Sequence, residues 1–568
     1  MSTTTTPSGK KLLVTAALPY ANGDIHIGHL SGVYLPADIY VRFKRLRGTN
    51  VRFICGSDDY GVAIMLRATA EGKTPAEVAH AYHASHKADF DGLGINFDIY
   101  GSTSQNPHHI GTSQEIFKKI FSKGYFEKQS SRQFYDDSKQ MFLPDRFVKG
   151  TCGYCAAADQ HGDQCENCGK MLDVDTVQNP RSVVSGNPAS VRETFHWFLD
   201  LSRFEGAVSK WLETAEVRDT SRRYVQGLLS TGFIKRSMTR DIDWGVPVPI
   251  DDVDAKSKVL YVWFDAPIGY ISNTQQLCAE RGEGVEHYTD WWKSEDCDIL
   301  HFIGEDNTIF HCVIWIAMLS SEGSYKLPRG VVINQFLNVQ FPGREVEKIS
   351  KSRGTALWMK DYVASGENPD TLRYYLTMIA PERARSTFKP DDMLQRHNSE
   401  LANVLGNFVH RIVSFTHKYV GPHVPDYLEE KVSDTDKAFV ALLEKAFHDT
   451  TEQLEGYNFR AALEVLMEFA RSCNRYVDEK APWTTRKTDM ETTKVTLATA
   501  LKAIHFFTIV LTPFMPFTTA KMAATLNLDL AKLCWDDALR AQPAGSTLKE
   551  PQILFAKIET SIWLNAAI

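Results

Sequence analysis

No apolar stretch in the sequence is long enough and unbroken enough to cross a bilayer. The strongest candidate, residues 503–517, is interrupted by His505, Pro513 and Pro516 and falls short of the ~20 residues a span requires, so it reads as a buried helix. The first ten residues, with four consecutive threonines, lack the apolar core of a secretory signal and read as a disordered tail. These absences point to a cytoplasmic protein with no membrane partner. Nor is positive charge in excess. Lys and Arg number 63 against 70 Asp and Glu, a net −7, which excludes an indiscriminately basic nucleic-acid coat but leaves room for a local basic face. Ten cysteines in 568 residues do not make a disulfide framework; Cys55, Cys278, Cys297, Cys312, Cys473 and Cys534 are scattered, and the other four are clustered. The chain is too long for one hydrophobic core, so about three domains are expected.

What is present begins with Leu12-Leu13-Val14-Thr15, an apolar run that predicts a buried strand, followed by Ala17-Leu18-Pro19-Tyr20-Ala21-Asn22-Gly23-Asp24-Ile25-His26-Ile27-Gly28-His29. Asn22-Gly23 is a turn signal, and a helix is predicted to start near Gly28. Such a start would turn free N–H groups and the positive dipole end toward a phosphate-sized gap, with His26 and His29 as further donors. Residues 36–47 have helical spacing and stop at Gly48. Pro36 suits a first helical turn, so the helix entered at Gly28 is expected to be interrupted between Gly32 and Pro36. Val51-Arg52-Phe53-Ile54-Cys55 reads as a second strand. Asp58, just beyond it, is placed either to hold a ligand's ammonium group at the carboxyl edge of an open sheet or to cap the next helix.

Over residues 115–231 the strand–helix alternation is lost. Here lie Cys152-Gly153-Tyr154-Cys155 and Cys165-Glu166-Asn167-Cys168, two C-x2-C pairs nine residues apart, the spacing of a tetrahedral Zn²⁺ site. Four thiolates leave no open position, so the metal would be structural, with zinc preferred to iron. The alternative is four unrelated reduced cysteines. The αβ pattern resumes with Tyr261-Val262-Trp263-Phe264-Asp265-Ala266-Pro267-Ile268-Gly269-Tyr270, then with 299–307, Phe310-His311 and Ile314-Trp315, whose aromatic residues either pack a core or wall an apolar pocket. Residues 331–337 read as another strand. Beyond residue 390 apolar residues recur at three and four over 393–417, 438–454, 461–476 and 495–511, predicting a helical bundle. Asn407 and Arg411 fall one turn apart on it, and Trp483 sits in a break between helices, suited either to packing or to stacking an unpaired base.

A second cationic segment, Glu347-Lys348-Ile349-Ser350-Lys351-Ser352-Arg353-Gly354, predicts a loop whose lysines reach phosphate oxygens. Together, His26-Ile27-Gly28-His29 and Lys348-Ile349-Ser350-Lys351-Ser352 resemble the two signatures of class I aminoacyl-tRNA synthetases. Nearly the whole chain resembles the methionyl-tRNA synthetase family, in segments 17–29, 53–61, 141–169, 261–270, 302–311, 348–354 and 474–483. The resemblance implies an α/β fold: a Rossmann-type catalytic domain split by a zinc-bearing insertion, followed by an α-helical anticodon-binding bundle. The corresponding division is a tail at 1–10, catalytic halves at 11–114 and 232–340, the insertion at 115–231, a signature-loop and stem-contact region at 341–390, and the anticodon-binding domain at 391–568. It further implies ATP-dependent activation of L-methionine, with Mg²⁺ accompanying ATP, and transfer to the 3′ end of tRNA(Met). By the same resemblance Leu18, Tyr20, Asp58, Trp263, Ala266, Pro267, Tyr270, His311 and Ile314 form the methionine site. His26, Gly28, His29, Lys348 and Lys351 act on ATP, with His26, His29 and Lys351 catalytic. Asn407, Arg411 and Trp483 meet the anticodon, and Cys152, Cys155, Cys165 and Cys168 hold one zinc.

Three features depart from the family pattern. Ile349 stands where methionine is usual, Glu305 where lysine is common, and the segment 341–346 before the loop is longer than usual. Two competing readings are a sister class I synthetase for another apolar amino acid and a non-catalytic tRNA-binding zinc protein. The insertion leaves little room for the large editing domain of branched-chain enzymes, and intact His26, His29 and Lys351 oppose a non-catalytic role. With no evident dimerisation domain after the bundle, a monomer is expected.

Overall fold

The computed structural model describes residues 10–565 apart from 145–146, 163–164, 166, 169, 171 and 351–353. At its centre is a six-stranded parallel sheet in the order Glu216–Val217, Gly330–Asn334, Cys297–Gly304, Lys11–Ala16, Val51–Ser57, Ile99–Ser102. Val51–Ser57 and Gly330–Asn334 are buried throughout, as strands covered by helices on both faces must be. The order reverses between Lys11–Ala16 and Cys297–Gly304. Ligands of open parallel sheets bind at the carboxyl ends of the strands at such a switch point.

After the first strand the chain is helical from Ile27 to Leu46, and the expected interruption is a π turn at Leu30–Tyr34 rather than a break. Pro36 has no N–H for the carbonyl of Gly32, and its ring would crowd that carbonyl in regular α geometry. The wider turn, closed by Leu35 N–H to Leu30 O, relieves the conflict, and the Asn334 side-chain amide donates to Gly32 O at 2.9 Å. The helix ends as the sequence predicts, at Gly48 with φ +76°.

The strand–helix alternation returns earlier than the sequence suggests. Helices Glu205–Thr214 and Asp219–Thr231 flank the strand Glu216–Val217 at the sheet edge, and Val208, Trp211 and Val225 join the core of the catalytic domain. A two-residue strand is too short to show a period. The non-alternating part consists of two antiparallel sheets. One has Lys235–Ser237, Ser190–Asp200, Phe126–Asp136 and Met141–Phe142; the other has Gln160–His161, Val148–Cys152 and Val177–Ser182. Further on, Leu337–Val339 and Glu347–Lys348 pair antiparallel, so the long segment 341–346 is simply their hairpin loop, closed by Arg344 N–H to Phe341 O at 3.0 Å.

The C-terminal part is helical. A continuous helical stretch, Pro390–Arg396, His397–Gly406 and Asn407–Tyr419, packs with Asp434–Glu455, Phe459–Lys480 and Met490–Val510. Among the described residues Met490–Val510 is the one helix long and apolar enough to cross a membrane, and it is buried in the bundle. The fully buried guanidinium of Arg373 joins three parts of the chain. It donates to Asp38 Oδ2 on the first helix at 2.7 Å, to Leu93 O at 3.2 Å, and to Pro513 O and Phe514 O at 2.9 Å each. Burial pushes the Asp38 carboxyl up, but Arg42 and Arg373 outweigh it and hold that carboxyl below its usual range.

Candidate active site

A cavity of about 490 Å³ opens at the switch point, and contacts sort its lining into two groups. The first is aromatic. The Trp263 indole N–H donates to Tyr20 Oη, and its ring meets Phe310 edge-on with centroids 4.1 Å apart. Leu18, Ala266, Pro267, Tyr270 and His311 complete this wall. The polarity of the wall is fixed from behind. His311 Nδ1 lies 3.2 Å from Asn307 O and must donate to it, so Nε2 accepts the Tyr270 hydroxyl at 2.9 Å. Tyr270 stacks on His301, whose Nε2 accepts the Trp315 indole N–H at 3.2 Å and whose Nδ1 donates to Thr15 Oγ1 at 2.6 Å. Burial lowers His311 to about 4 and holds His301 well below its usual range, so both rings are neutral at pH 7.

One carboxylate faces this apolar wall. Asp58 is 3% exposed, and its Oδ1 has no hydrogen-bond partner among the described residues. The main chain fixes it, with Asp58 N–H donating to Pro19 O and Ala21 N–H to Asp58 O, each at 2.9 Å. It does not cap the next helix, Val62–Glu71, whose N-cap is Gly61. Burial, with the nearby Asp265 and Asp59, pushes its carboxyl well above the usual range. Asp265 is raised by burial as well and lies 3.2 Å from His109 Nε2, whose ring burial lowers to about 4. That neutral pair leaves Asp58 as the group with most to gain from an incoming cation.

The second group surrounds the histidines. His26 and His29 stack with ring centroids 3.7 Å apart. His26 Nδ1 accepts from Gly28 N–H at 3.1 Å and His29 N–H at 3.4 Å, and His29 Nδ1 accepts from His26 N–H at 3.2 Å. With Nδ1 accepting, each ring carries a proton on Nε2. The expectation of free helix N–H groups fails here: those of Gly28 and His29 are taken by His26, and that of Ile27 by Leu357 O at 3.0 Å. Donors for an anion must come from side chains instead. A side chain at Gly28 would be crowded, because its Cβ would lie 3.0 Å from His26 Cε1 and 3.3 Å from Ile349 Cδ1. That contact brings the two signatures together. They are also joined by Met359 N–H to Ile25 O at 2.9 Å and by Lys360 Nζ to Asp24 Oδ2 at 2.7 Å. Thr355 closes the base of the lysine–serine loop, its hydroxyl donating to Lys348 O at 2.9 Å and accepting from Ser350 N–H at 3.0 Å.

Two family models match the chain, one described as tRNA synthetases class I (M) over residues 12–413, the other as the anticodon binding domain of methionyl tRNA ligase over residues 424–563. The chain belongs to the methionyl family of class I tRNA synthetases. Curated relatives include the methionine–tRNA ligase of Porphyromonas gingivalis, 43% identical over 560 residues that cover 97% of this chain and 80% of that protein. That of Flavobacterium psychrophilum is 43% identical over 97% of this chain and 79% of its own. Among solved structures, Mycobacterium tuberculosis methionyl-tRNA synthetase in complex with methionyl-adenylate is similar with TM-score 0.77 at 25% identity, over 96% of this chain and 99% of that one. The apo form of that enzyme, with TM-score 0.72 at 23% identity, shows the shared fold alone.

Of the residues expected from the family, Leu18, Tyr20, His26, Gly28, His29, Asp58, Trp263, Ala266, Pro267, Tyr270, His311 and Lys348 all line the one cavity. Ile314 is not among the lining residues; it is buried in the hydrophobic cluster behind Tyr270 and Phe310. Lys351 lies outside the described residues. Sequence reasoning missed Asp306, Gln335, Phe336 and Arg385, which also line the cavity. Gln335 and Phe336 fall inside the strand expected over 331–337, but the strand stops at Asn334 and leaves both just beyond its carboxyl end; nothing local marks Arg385.

The four cysteines form one cluster, with all sulfurs within 4.8 Å of one another and pairs at 3.6 Å (Cys155–Cys165) and 3.9 Å (Cys152–Cys168). Four sulfurs about 2.3 Å from one Zn²⁺ in a tetrahedron would lie roughly 3.8 Å apart, so the donor set fits. Backbone N–H groups of Tyr154 and Cys168 point at Cys152 and Cys165 sulfurs at 3.4 Å each, as thiolates prefer. In the bundle, Asn407 is exposed, Trp483 is 40% exposed, and the Arg411 guanidinium lies 5.7 Å from the Trp483 ring centre. Arg411 and Trp483, two of the residues expected to meet the anticodon, are thus neighbours at the surface, and Trp483 is no core residue.

Proposed function

We propose that the chain activates L-methionine with ATP to methionyl-adenylate and transfers it to the 3′ end of tRNA(Met). The observation that carries this reading is Asp58: a buried, underpartnered carboxylate at the edge of an aromatic cavity is suited to one ammonium group beside one unbranched apolar side chain. The thioether gains from ring edges such as those of Trp263 and Phe310. Adenylate formation joins the methionine carboxylate to the α-phosphorus and expels pyrophosphate. No protein base is needed; what accelerates the step is alignment and positive charge where the five-coordinate phosphorus gathers negative charge. His26 and His29, donating from Nε2, with Lys348 and Lys351, serve that purpose. Mg²⁺ bound with ATP supplies further charge neutralisation. The terminal adenosine hydroxyl of tRNA then attacks the activated carbonyl, releasing AMP.

Cys152, Cys155, Cys165 and Cys168 would hold one Zn²⁺ that stabilises the insertion, and Asn407, Arg411 and Trp483 would read the anticodon. The buried setting of the most apolar helix, Met490–Val510, fits a cytoplasmic enzyme. Methionine-dependent ATP–pyrophosphate exchange tests the reading. Exchange should be supported by methionine and not by leucine, isoleucine, valine or cysteine; exchange with one of those and not methionine would overturn it.

A further inference from the structure

Within this reading the triphosphate of ATP poses a charge problem. It brings about four negative charges into a cavity that already holds the carboxyls of Asp58 and Asp306. Among the described lining residues, those with a permanent positive charge are Lys348 and Arg385. Arg385 is held in a defined way. Glu305 Oε1 accepts from its Nε at 3.1 Å and approaches its Nη2 at 3.0 Å, and the same oxygen accepts the Phe336 backbone N–H at 3.3 Å. One carboxylate oxygen therefore ties the guanidinium to the segment just beyond the strand Gly330–Asn334. The guanidinium lies 5.5 Å from the centre of the Phe336 ring, which also lines the cavity and is 44% exposed. With the Nε and Nη2 side engaged, Nη1 makes no hydrogen bond among the described residues. A planar fork clamped on one edge presents the other for bidentate phosphate binding. The pair is roughly half exposed at Arg385, where an ion pair contributes little to stability.

We infer that Arg385 is a binding residue for the β- and γ-phosphates of ATP and that Glu305 is the positioning residue that aims it. This also explains an acid at position 305: the cation comes from Arg385, and Glu305 orients it. The inference rests on the activity proposed above, and the experiment separates the two. Exchange kinetics and equilibrium binding of ATP and of AMP are measured for the full chain and its Arg385→Ala, Arg385→Lys and Glu305→Gln variants. Arg385→Ala should raise KM for ATP at least about tenfold and weaken ATP binding similarly, while KM for methionine and AMP binding stay within about twofold. Arg385→Lys should recover only part of the loss, since a point charge lacks the fork. Glu305→Gln should fall between. Unchanged ATP binding in Arg385→Ala would overturn the inference, as would equal losses for ATP and AMP, or a fall in unfolding temperature with methionine and ATP affected alike. Wild-type protein without methionine-dependent exchange would sink the activity reading, and the ATP and AMP binding arm would still decide on Arg385.

Discussion

Replacing Asp58 by asparagine removes one charge and almost no volume, so its effects on binding and on folding can be read separately. In the free protein the carboxylate is costly: 3% exposed, Oδ1 without a hydrogen bond, and Asp59 and Asp265 nearby. In the complex it would be the counter-ion of the methionine ammonium group. Removing one partner of a buried charge pair costs about 2–5 kcal/mol, or roughly 30- to 5,000-fold in Kd. Asp58→Asn should therefore weaken methionine binding by that factor in calorimetry or in quenching of Trp263 fluorescence. Folding should move the other way. A carboxyl whose folded pKa is raised binds more protons in the native than in the unfolded state, so wild-type stability is full below about pH 4 and falls as pH rises through the folded value. The variant lacks that loss, and its unfolding temperature should equal or exceed the wild type's, with the gap widening toward neutral pH. By the same sign, wild-type methionine affinity should rise with pH as Asp58 ionises. Unchanged methionine affinity with a lowered unfolding temperature would mean that Asp58 serves the fold and not the substrate.

Trp483→Ala should leave pyrophosphate exchange nearly intact and lower aminoacylation efficiency at least about tenfold, since stacking is worth roughly 1–3 kcal/mol per base and the residue is exposed; a large loss of stability with both activities falling together would contradict this. Lys351→Ala should slow adenylate formation by roughly a hundredfold or more in single-turnover assays while barely changing methionine affinity. Metal analysis of fresh protein should find one zinc per chain, and its removal should harm tRNA charging more than exchange; protein free of zinc and iron refutes the site. Acid should destabilise the fold in a defined window. Burial lowers His109 and His311 to about 4, so the stability they contribute is present above about pH 6.5 and lost as pH falls toward 4, up to about 3 kcal/mol each in thermal unfolding against pH.

The sequence made the strand before the first signature legible because buried parallel strands are continuous apolar runs, and it made the bundle legible because helices of this length repeat their period several times. The four cysteines needed only spacing. The edge strand Glu216–Val217 left no trace, since two residues have no period and its pairing partner lies more than a hundred residues away. The π turn at Leu30–Tyr34 was legible only as a conflict between a helix start at Gly28 and a proline at 36. The fate of the helix N–H groups depended on a rotamer of His26, which turns Nδ1 back onto its own backbone. Arg385 became a site residue through tertiary placement, held by Glu305 and Phe336, which lie 80 and 49 positions earlier in the chain.

Strand order explains why residues more than three hundred positions apart can serve one reaction. The first signature follows Lys11–Ala16, and the lysine–serine loop follows the hairpin that leaves Gly330–Asn334. Only Cys297–Gly304 separates those two strands in the sheet, and two strand spacings amount to roughly 10 Å. Both chains leave at the same carboxyl edge because every strand is parallel. The approach of Ile349 to the space beside Gly28, the hydrogen bonds of Ile25 and Ile27 to Met359 and Leu357, and the Asp24–Lys360 pair then fix the remaining distance. An apolar residue is what position 349 requires, since its side chain fills the space that a glycine at 28 leaves open. Isoleucine is apolar, as methionine is, so the departure at 349 keeps an apolar side chain beside Gly28.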